Sequence, residues 1–534
     1  MIKPKQIIEI AKSIGIRQDE VETYGSYKAK VSLGVIERLS HKPNAKLINV
    51  TSVTPTKFGE GKTSTAIGLT QALGKLKKKT ALCIREPSLG PIFGVKGGGC
   101  GKGLSQVIPM EDINLHFTRD NYAISSAHNL LAAMLDNHIY SGNKLDIDKN
   151  KILWRRVIDL NDRSLRHITV SSNVRNMSYE TGFDITASSE IMAILALTTG
   201  IGDLKERLSR VIVAYTKKGR PVTAKDLNAV GAMASLLTDT IKPNIVQTME
   251  EEAVFIHTGP FANVAHGNSS FLSLVMASKL ADYVVTENGF GTDLGAEKFF
   301  DIVCRMSMPG VNETLKPSVS VIVVSTRSVR EHGGMQNLEQ HVGNIKKFGI
   351  EPVVAINKFH DDNDTDLDAI KKYCHSLRTE VVVSEVVEKG GEGGIEMAQA
   401  CLKIINSNSS NLKYIYNLKD TIEDKISKIA KQIYAANSVV YTDEALEDIK
   451  KCYELGLDKL PINIAKTHLS LSDDPLKKGV PSEWKLKIRN VRIARGAGFI
   501  VPIAGKIELM PGLPPVPAAE KLDIDDEGNI TGLA

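Results

Sequence analysis

The feature that most constrains this chain is a change of pattern between residues 47 and 73. A short apolar run, Leu47 to Val53, stops at the segment TPTKFGEGKTS, and beyond it Ala66, Leu69 and Leu73 recur at helical spacing. The stretch reads as strand, glycine-bearing loop and helix. A second strand is predicted at Thr80 to Ile84, and further strands at 209–216, 253–257, 282–286, 319–325, 351–357 and 379–383 alternate with helical stretches such as 121–140. That alternation predicts an α/β fold built on a doubly wound, mostly parallel sheet.

The loop itself carries chemistry. Gly59, Glu60, Gly61, Lys62 and Thr63 form the end of a G-x-x-x-x-G-K-[ST] pattern, with Thr56 where the first glycine of that pattern falls. Successive backbone N–H groups at a helix N-terminus make an anion nest, Lys62 adds a point charge for the β and γ phosphates, and the Thr63 hydroxyl suits Mg2+. Thr56, Lys57, Phe58, Gly59, Glu60, Gly61, Lys62 and Thr63 are therefore the candidate nucleotide-binding residues, and the sheet is expected to be P-loop NTPase-like. The bland alternative is a solvated turn with an incidental lysine.

Composition excludes several classes. Lys+Arg 67 against Asp+Glu 62 leaves a net charge of +5, too dilute over this length to imply nucleic acid. Six cysteines lie far apart with no CxxC pair, so neither a disulfide framework nor a zinc cluster is suggested, and a reduced, cytoplasmic setting fits. No apolar run is long enough to span a bilayer, and MIKPKQIIEIAKSIGI reads as an amphipathic helix. Charged helices dominate 413–455, and the last stretch is β-like and proline-rich. The expected division is a nucleotide-binding core over 1–360, a second α/β domain over 361–455 and a C-terminal β-rich domain over 456–534.

A second glycine-rich run, GVKGGGCGKG from Gly94 to Gly103, either lets backbone approach a ligand or forms a mobile loop. Lys96 and Lys102 within it, with Arg85 upstream in REPSLGP, place three cations near an expected phosphate or carboxylate. Arg85 alternatively forms an ion pair with Glu86 or another acid. Cys100 is either a thiol activated by this cationic loop or an inert packing residue. The histidines show no metal-binding spacing, and each reads first as a hydrogen-bonded structural residue.

Taken in order along the chain, TPTKFGEGKTS, REPSLGPIFGVKGGG, SSAHNLLAAMLDNHIY, GPFANVAHGN, GFGTDLGAEKFFDI, EKGGEGG, AKTHLSLSDDP and GAGFIVPIAGKIELMPGLP resemble the formate-tetrahydrofolate ligase family over essentially the whole length. The resemblance implies ATP-dependent ligation of formate to tetrahydrofolate through formyl phosphate, giving 10-formyltetrahydrofolate, ADP and phosphate. It implies ATP with Mg2+, tetrahydrofolate as acceptor, a monovalent cation as a further candidate, and a homotetramer. Lys62, Arg85 and Glu86 become the candidate catalytic residues, Arg85 as the group that holds formyl phosphate. Phe290, Val387, Lys96, Gly97, Gly98, Cys100 and Lys102 become the candidate substrate-binding residues.

The chain departs from the family pattern on the acceptor side. Gly99, Cys100, Lys102 and Leu104 replace two alanines, a glycine and a tyrosine of the glycine motif, and Val387 stands where the family has a tryptophan opposite Phe290. Arg119, Asn121 and Tyr122 are further altered positions. Two alternatives follow: a paralogue that keeps formyl or acyl phosphate chemistry with a different one-carbon donor or acceptor, and a nucleotide-binding protein without turnover.

Overall fold

A computed structural model of the protein describes residues 4–57, 59–96, 98–172, 177–311 and 313–533. Phe58 and Gly97 lie outside the described residues, as does the side chain of Lys96.

The predicted strand of residues 47–53 is β1 (Lys46–Ser52), and it lies inside a large sheet. The sheet also contains β2 (Thr80–Ile84), β3 (Asn244–Thr248), β4 (Ala253–Ile256), β5 (Tyr283–Gly291), β6 (Pro317–Val324), β7 (Pro352–Asn357) and β8 (Glu380–Ser384). In space the order runs β3, β4, β2, β5, β1, β6, β7, β8. From β4 to β8 every neighbouring pair is parallel. β3 closes one side antiparallel to β4, and it carries the short strands Ala29–Val31 and Ser105–Ile108.

Parallel strands need both faces covered, which is why their sequences read as near-continuous apolar runs such as VSVIVV in β6. Successive residues serve two cores. Leu47, Val284, Ile322 and Val354 join one buried cluster, together with the helix Phe271–Leu280. Ile48, Val50, Val285, Val321 and Val353 join the other, under helix α1 (Lys62–Lys75). The expected doubly wound α/β architecture is therefore present.

The sheet runs on past residue 360, because β8 pairs in parallel with β7 and sets Ser384 opposite Asn357. Residues 361–384 thus complete the central sheet. Farther along, β9 (Ser438–Tyr441), β10 (Lys485–Ala494) and β11 (Phe499–Ala504) form a separate three-stranded sheet. Leu486 and Phe499 of this sheet share one buried cluster with the central sheet. No helix among the described residues is long and apolar enough to cross a membrane.

Candidate active site

In open parallel sheets, ligands bind beyond the carboxyl ends of the strands, and the predicted loop lies there. It leaves β1 at Ser52 and enters α1 through Gly61, whose φ of 77° is left-handed. A side chain at position 61 would also collide with Asn357, since a Cβ there lies 2.3 Å from the Asn357 amide nitrogen. Glycine at 61 is thus required twice. The N-cap of α1 is Gly61, which has no side chain with which to cap the first-turn N–H groups.

The loop is braced from within. The buried Glu60 carboxylate accepts the Thr56 N–H at 2.7 Å and the Ser325 hydroxyl, while its backbone carbonyl accepts the Asn357 amide at 3.1 Å. The Thr54 N–H donates to His341 Nε2 at 2.8 Å, and His341 Nδ1 meets the Thr292 hydroxyl at 2.6 Å. Burial pushes His341 down to about 4, so the ring is neutral and can accept. Among the eight residues expected to bind nucleotide, Glu60 therefore turns its charge into the protein. The Thr56 amide is committed to Glu60, and Lys57 is exposed.

At the start of α1 the Lys62 ammonium reaches the Ser52 hydroxyl at 3.4 Å. The Thr63 hydroxyl donates to Glu287 at 2.9 Å, and the other oxygen of Glu287 lies 3.5 Å from Arg85 Nη2. One buried carboxylate thus links the phosphate loop to the arginine. Three adjacent strands make this link, because β5, carrying Glu287, lies between β1 and β2. Glu287 is one of the residues that sequence reasoning missed. Its only local signal is an acid at the end of the apolar run YVVT, and its partner Thr63 lies 224 residues away.

Glu86 goes elsewhere. Its N–H pairs with the Thr258 carbonyl at 2.7 Å, and its side chain is buried. Burial first, and then the nearby Asp120 carboxylate, push Glu86 well above the usual carboxylate range, against the opposing pull of Lys30. Lys30 and Asp120 form a buried ion pair at 2.9 Å. Arg85 accordingly pairs with Glu287, and Glu86 sits with the Lys30–Asp120 group.

The candidate substrate residues divide into two sets. Cys100 is buried, and burial together with Glu111 pushes its thiol up, so the residue packs as an inert thiol. Gly98 lies against Asn114 and the Leu533 carbonyl. Lys102 is exposed on a hairpin whose Leu104 N–H donates to the Val387 carbonyl at 2.9 Å. Phe290 belongs to the other set. It ends β5 near the loop, accepts the Ser52 hydroxyl on its carbonyl at 3.1 Å, and stacks its ring on His468 at 4.2 Å and 17°. The chain reaches Val387 from β8, four strands from β5. His468, like Glu287, was not singled out in the sequence.

A parallel sheet with a glycine loop feeding a helix N-terminus, and Lys62 and Thr63 at that helix start, defines a P-loop type nucleotide-binding α/β protein. The family model for formate-tetrahydrofolate ligase matches residues 1–534, and the chain belongs to that family. That family is described as one of ATP-dependent ligases of formate and tetrahydrofolate. Among solved structures it is similar to translation elongation factor SelB from Methanococcus maripaludis. The apo form is 16% identical with a TM-score of 0.18, covering 27% of this chain and 29% of that one. The complex with the GTP analogue GppNHp is 15% identical with a TM-score of 0.19, covering 30% and 32%. The chain thus spans about a third or less of the elongation factor's length.

Proposed function

We propose that this chain makes 10-formyltetrahydrofolate in two steps at one site, with formyl phosphate between them. The observation that carries the reading is the Thr63–Glu287–Arg85 link, which puts a guanidinium beside the phosphate loop. In the first step a formate oxygen attacks the γ-phosphorus of ATP, and the bond to the β-phosphate oxygen breaks, releasing ADP. Two anions approach each other in this step. Arg85, as a planar fork able to bridge both, lowers that cost, while Lys62 and the α1 amides hold the phosphates.

In the second step the N10 amine of tetrahydrofolate attacks the formyl carbon. The carbon–oxygen bond to phosphate breaks, and phosphate and the amine proton leave. The Thr63 hydroxyl and the Glu287 carboxylate are hard oxygen donors and fit Mg2+. When bound with ATP, that ion would neutralise charge developing on the phosphates. Neither Glu60 nor Glu86 has a role in this scheme, since both carboxyl groups are turned into the protein.

The test is an ADP-release assay with formate, with and without tetrahydrofolate, paired with detection of 10-formyltetrahydrofolate. Product formation coupled one to one with ADP supports the reading. Formate-dependent ADP release without formylation of tetrahydrofolate would transfer it to a relative with another acceptor, a possibility raised by Lys102, Leu104 and Val387.

A further inference from the structure

A buried amine stands behind the Arg85 end of the site. Lys298 lies in the short helix Glu297–Asp301 that follows β5, has no exposed surface, and donates from Nζ to the Ala262 carbonyl at 2.5 Å. Among the described residues no acid pairs with it. Asp293 is taken by Lys466 at 2.7 Å and Asp301 by Arg305 at 2.8 Å, while the buried Glu297 carboxylate finds no hydrogen-bond partner. Burial pulls Lys298 down to about 7 against the charge of Glu297, and the amine can donate in either form. An apolar side chain of the same length would avoid the cost of burying this group.

What the bond holds is the loop from Gly259 to Gly267, which forms a wall of Arg85. The Pro260 carbonyl accepts Arg85 Nη1 at 3.5 Å, and the Gly267 carbonyl accepts the Gly289 N–H at 2.9 Å. Between these two ends Ala262 presses on β5. A Cβ built at Gly289 would lie 2.6 Å from the Ala262 Cβ and 2.9 Å from Arg85 Nη1. Ala262 is therefore the point where the loop, the end of β5 and the guanidinium meet, and its carbonyl is the atom that Lys298 grips. His266, in the same loop, senses both cations: burial first, then Lys298, then Arg85, push its ring down to about 3 and keep it neutral.

We propose that Lys298 is a positioning residue, which sets the direction of the Arg85 fork by fixing Ala262 and its loop against the guanidinium. The inference rests on the ligase reading above and deepens it. A fork that must bridge formate and the γ-phosphate works only at the right angle and distance, and a shift of about 1 Å at such a group costs on the order of a hundredfold in rate. Lys298 acts through the loop and leaves the phosphates to Lys62 and the α1 amides.

The experiment measures kcat, the KM values for formate and ATP, and thermal melts in the wild type, Lys298→Met and Lys298→Gln. Methionine keeps the length and loses the donor, whereas glutamine keeps a donor without the charge. Lys298→Met should lower kcat roughly ten- to a hundredfold and raise the KM for formate, with the KM for ATP within about twofold. Its melting temperature should equal or exceed that of the wild type, because a buried amine has been exchanged for an apolar chain. Lys298→Gln should recover part of the lost kcat. Wild-type kcat and formate KM in Lys298→Met overturn the proposal alone, as does a glutamine variant no better than methionine. A loss that comes with a lowered melting temperature and a raised KM for ATP overturns it too, since that marks a residue of general packing. If Lys298→Met fails to fold, the glutamine variant decides by the same criteria against the wild type. Absence of formate-dependent ADP release in the wild type overturns the ligase reading and this inference with it.

Discussion

The loop that feeds α1 and the run from Gly94 to Gly103 are both rich in glycine, and they are held in different ways. The first is braced by side chains from distant parts of the chain: Ser325, His341 and Asn357 all bond to it, and its exit carries Lys62 and Thr63 toward Glu287. The second is fastened mainly through backbone contacts: Val107 to Cys100 at 2.9 Å and Leu104 to Val387 at 2.9 Å, with the Gly99 N–H on Asn114 at 2.7 Å. Its Gly103 is required by the Val387 carbonyl. Glycine in the first loop frames an electrostatic site, whereas glycine at 103 permits two pieces of chain to touch. Richness in glycine alone does not separate these uses; the charged groups at the loop exit do.

If the first loop is where charge is handled, removing its cation should have the largest effect. Lys62→Ala should lower kcat roughly a hundred- to thousandfold, the range for loss of one electrostatic donor to a transition state that gains charge. Circular dichroism should remain that of the wild type, since alanine at the first position of α1 favours the helix. ADP release near the wild-type rate would remove the distinction between the two loops.

Arg85→Lys sharpens the same comparison by keeping the charge and losing the fork. A fall in kcat of roughly ten- to hundredfold with little change in the KM for ATP is expected, because a point charge cannot bridge formate and the γ-phosphate. A raised KM for ATP with unchanged kcat would place Arg85 on the nucleotide instead.

Glu287→Gln tests the link between loop and arginine. The amide keeps the shape and can still accept from Thr63, yet it lacks the charge that suits Mg2+ and Arg85. The Mg2+ concentration needed for half-maximal activity should rise roughly tenfold, in the range seen when a carboxylate around a metal is altered. An unchanged Mg2+ dependence would leave Glu287 as a purely structural partner of Arg85.

These residues also show what the sequence made legible. Lys62 and Thr63 stand in a local pattern, strand then loop then helix, and one segment suffices to read them. The doubly wound sheet was readable for a similar reason, since each parallel strand must be apolar on both faces. Glu287, His341 and His468 act through contacts that close only when β1, β2, β5 and the segment after residue 464 are assembled. Val387 was paired with Phe290 by resemblance, while its surroundings are set by the hairpin at Gly103. Likewise Glu86 adjoins Arg85 in the chain, but neighbouring residues on an extended backbone face opposite ways, and its side chain enters the Lys30–Asp120 group.

That placement yields the smallest expected effect on turnover and a distinct effect on stability. Burial, followed by the Asp120 charge, raises Glu86 well above its usual range, so the folded protein keeps this carboxyl protonated where the unfolded chain has already released its proton. The sign follows: between the unfolded value of about 4.5 and the raised folded value, the native state binds more protons, and stability falls as pH rises through that window. Glutamine resembles the protonated form in shape and hydrogen bonding. Glu86→Gln should therefore hold kcat within about threefold, and its melting temperature should decline less than the wild type's as pH rises from about 5. Thermal melts at several pH values, run beside the ADP-release assay, check both halves. A kcat that falls as far as in Arg85→Lys would return Glu86 to the reacting groups and break the contrast between the inward-facing acid and Glu287.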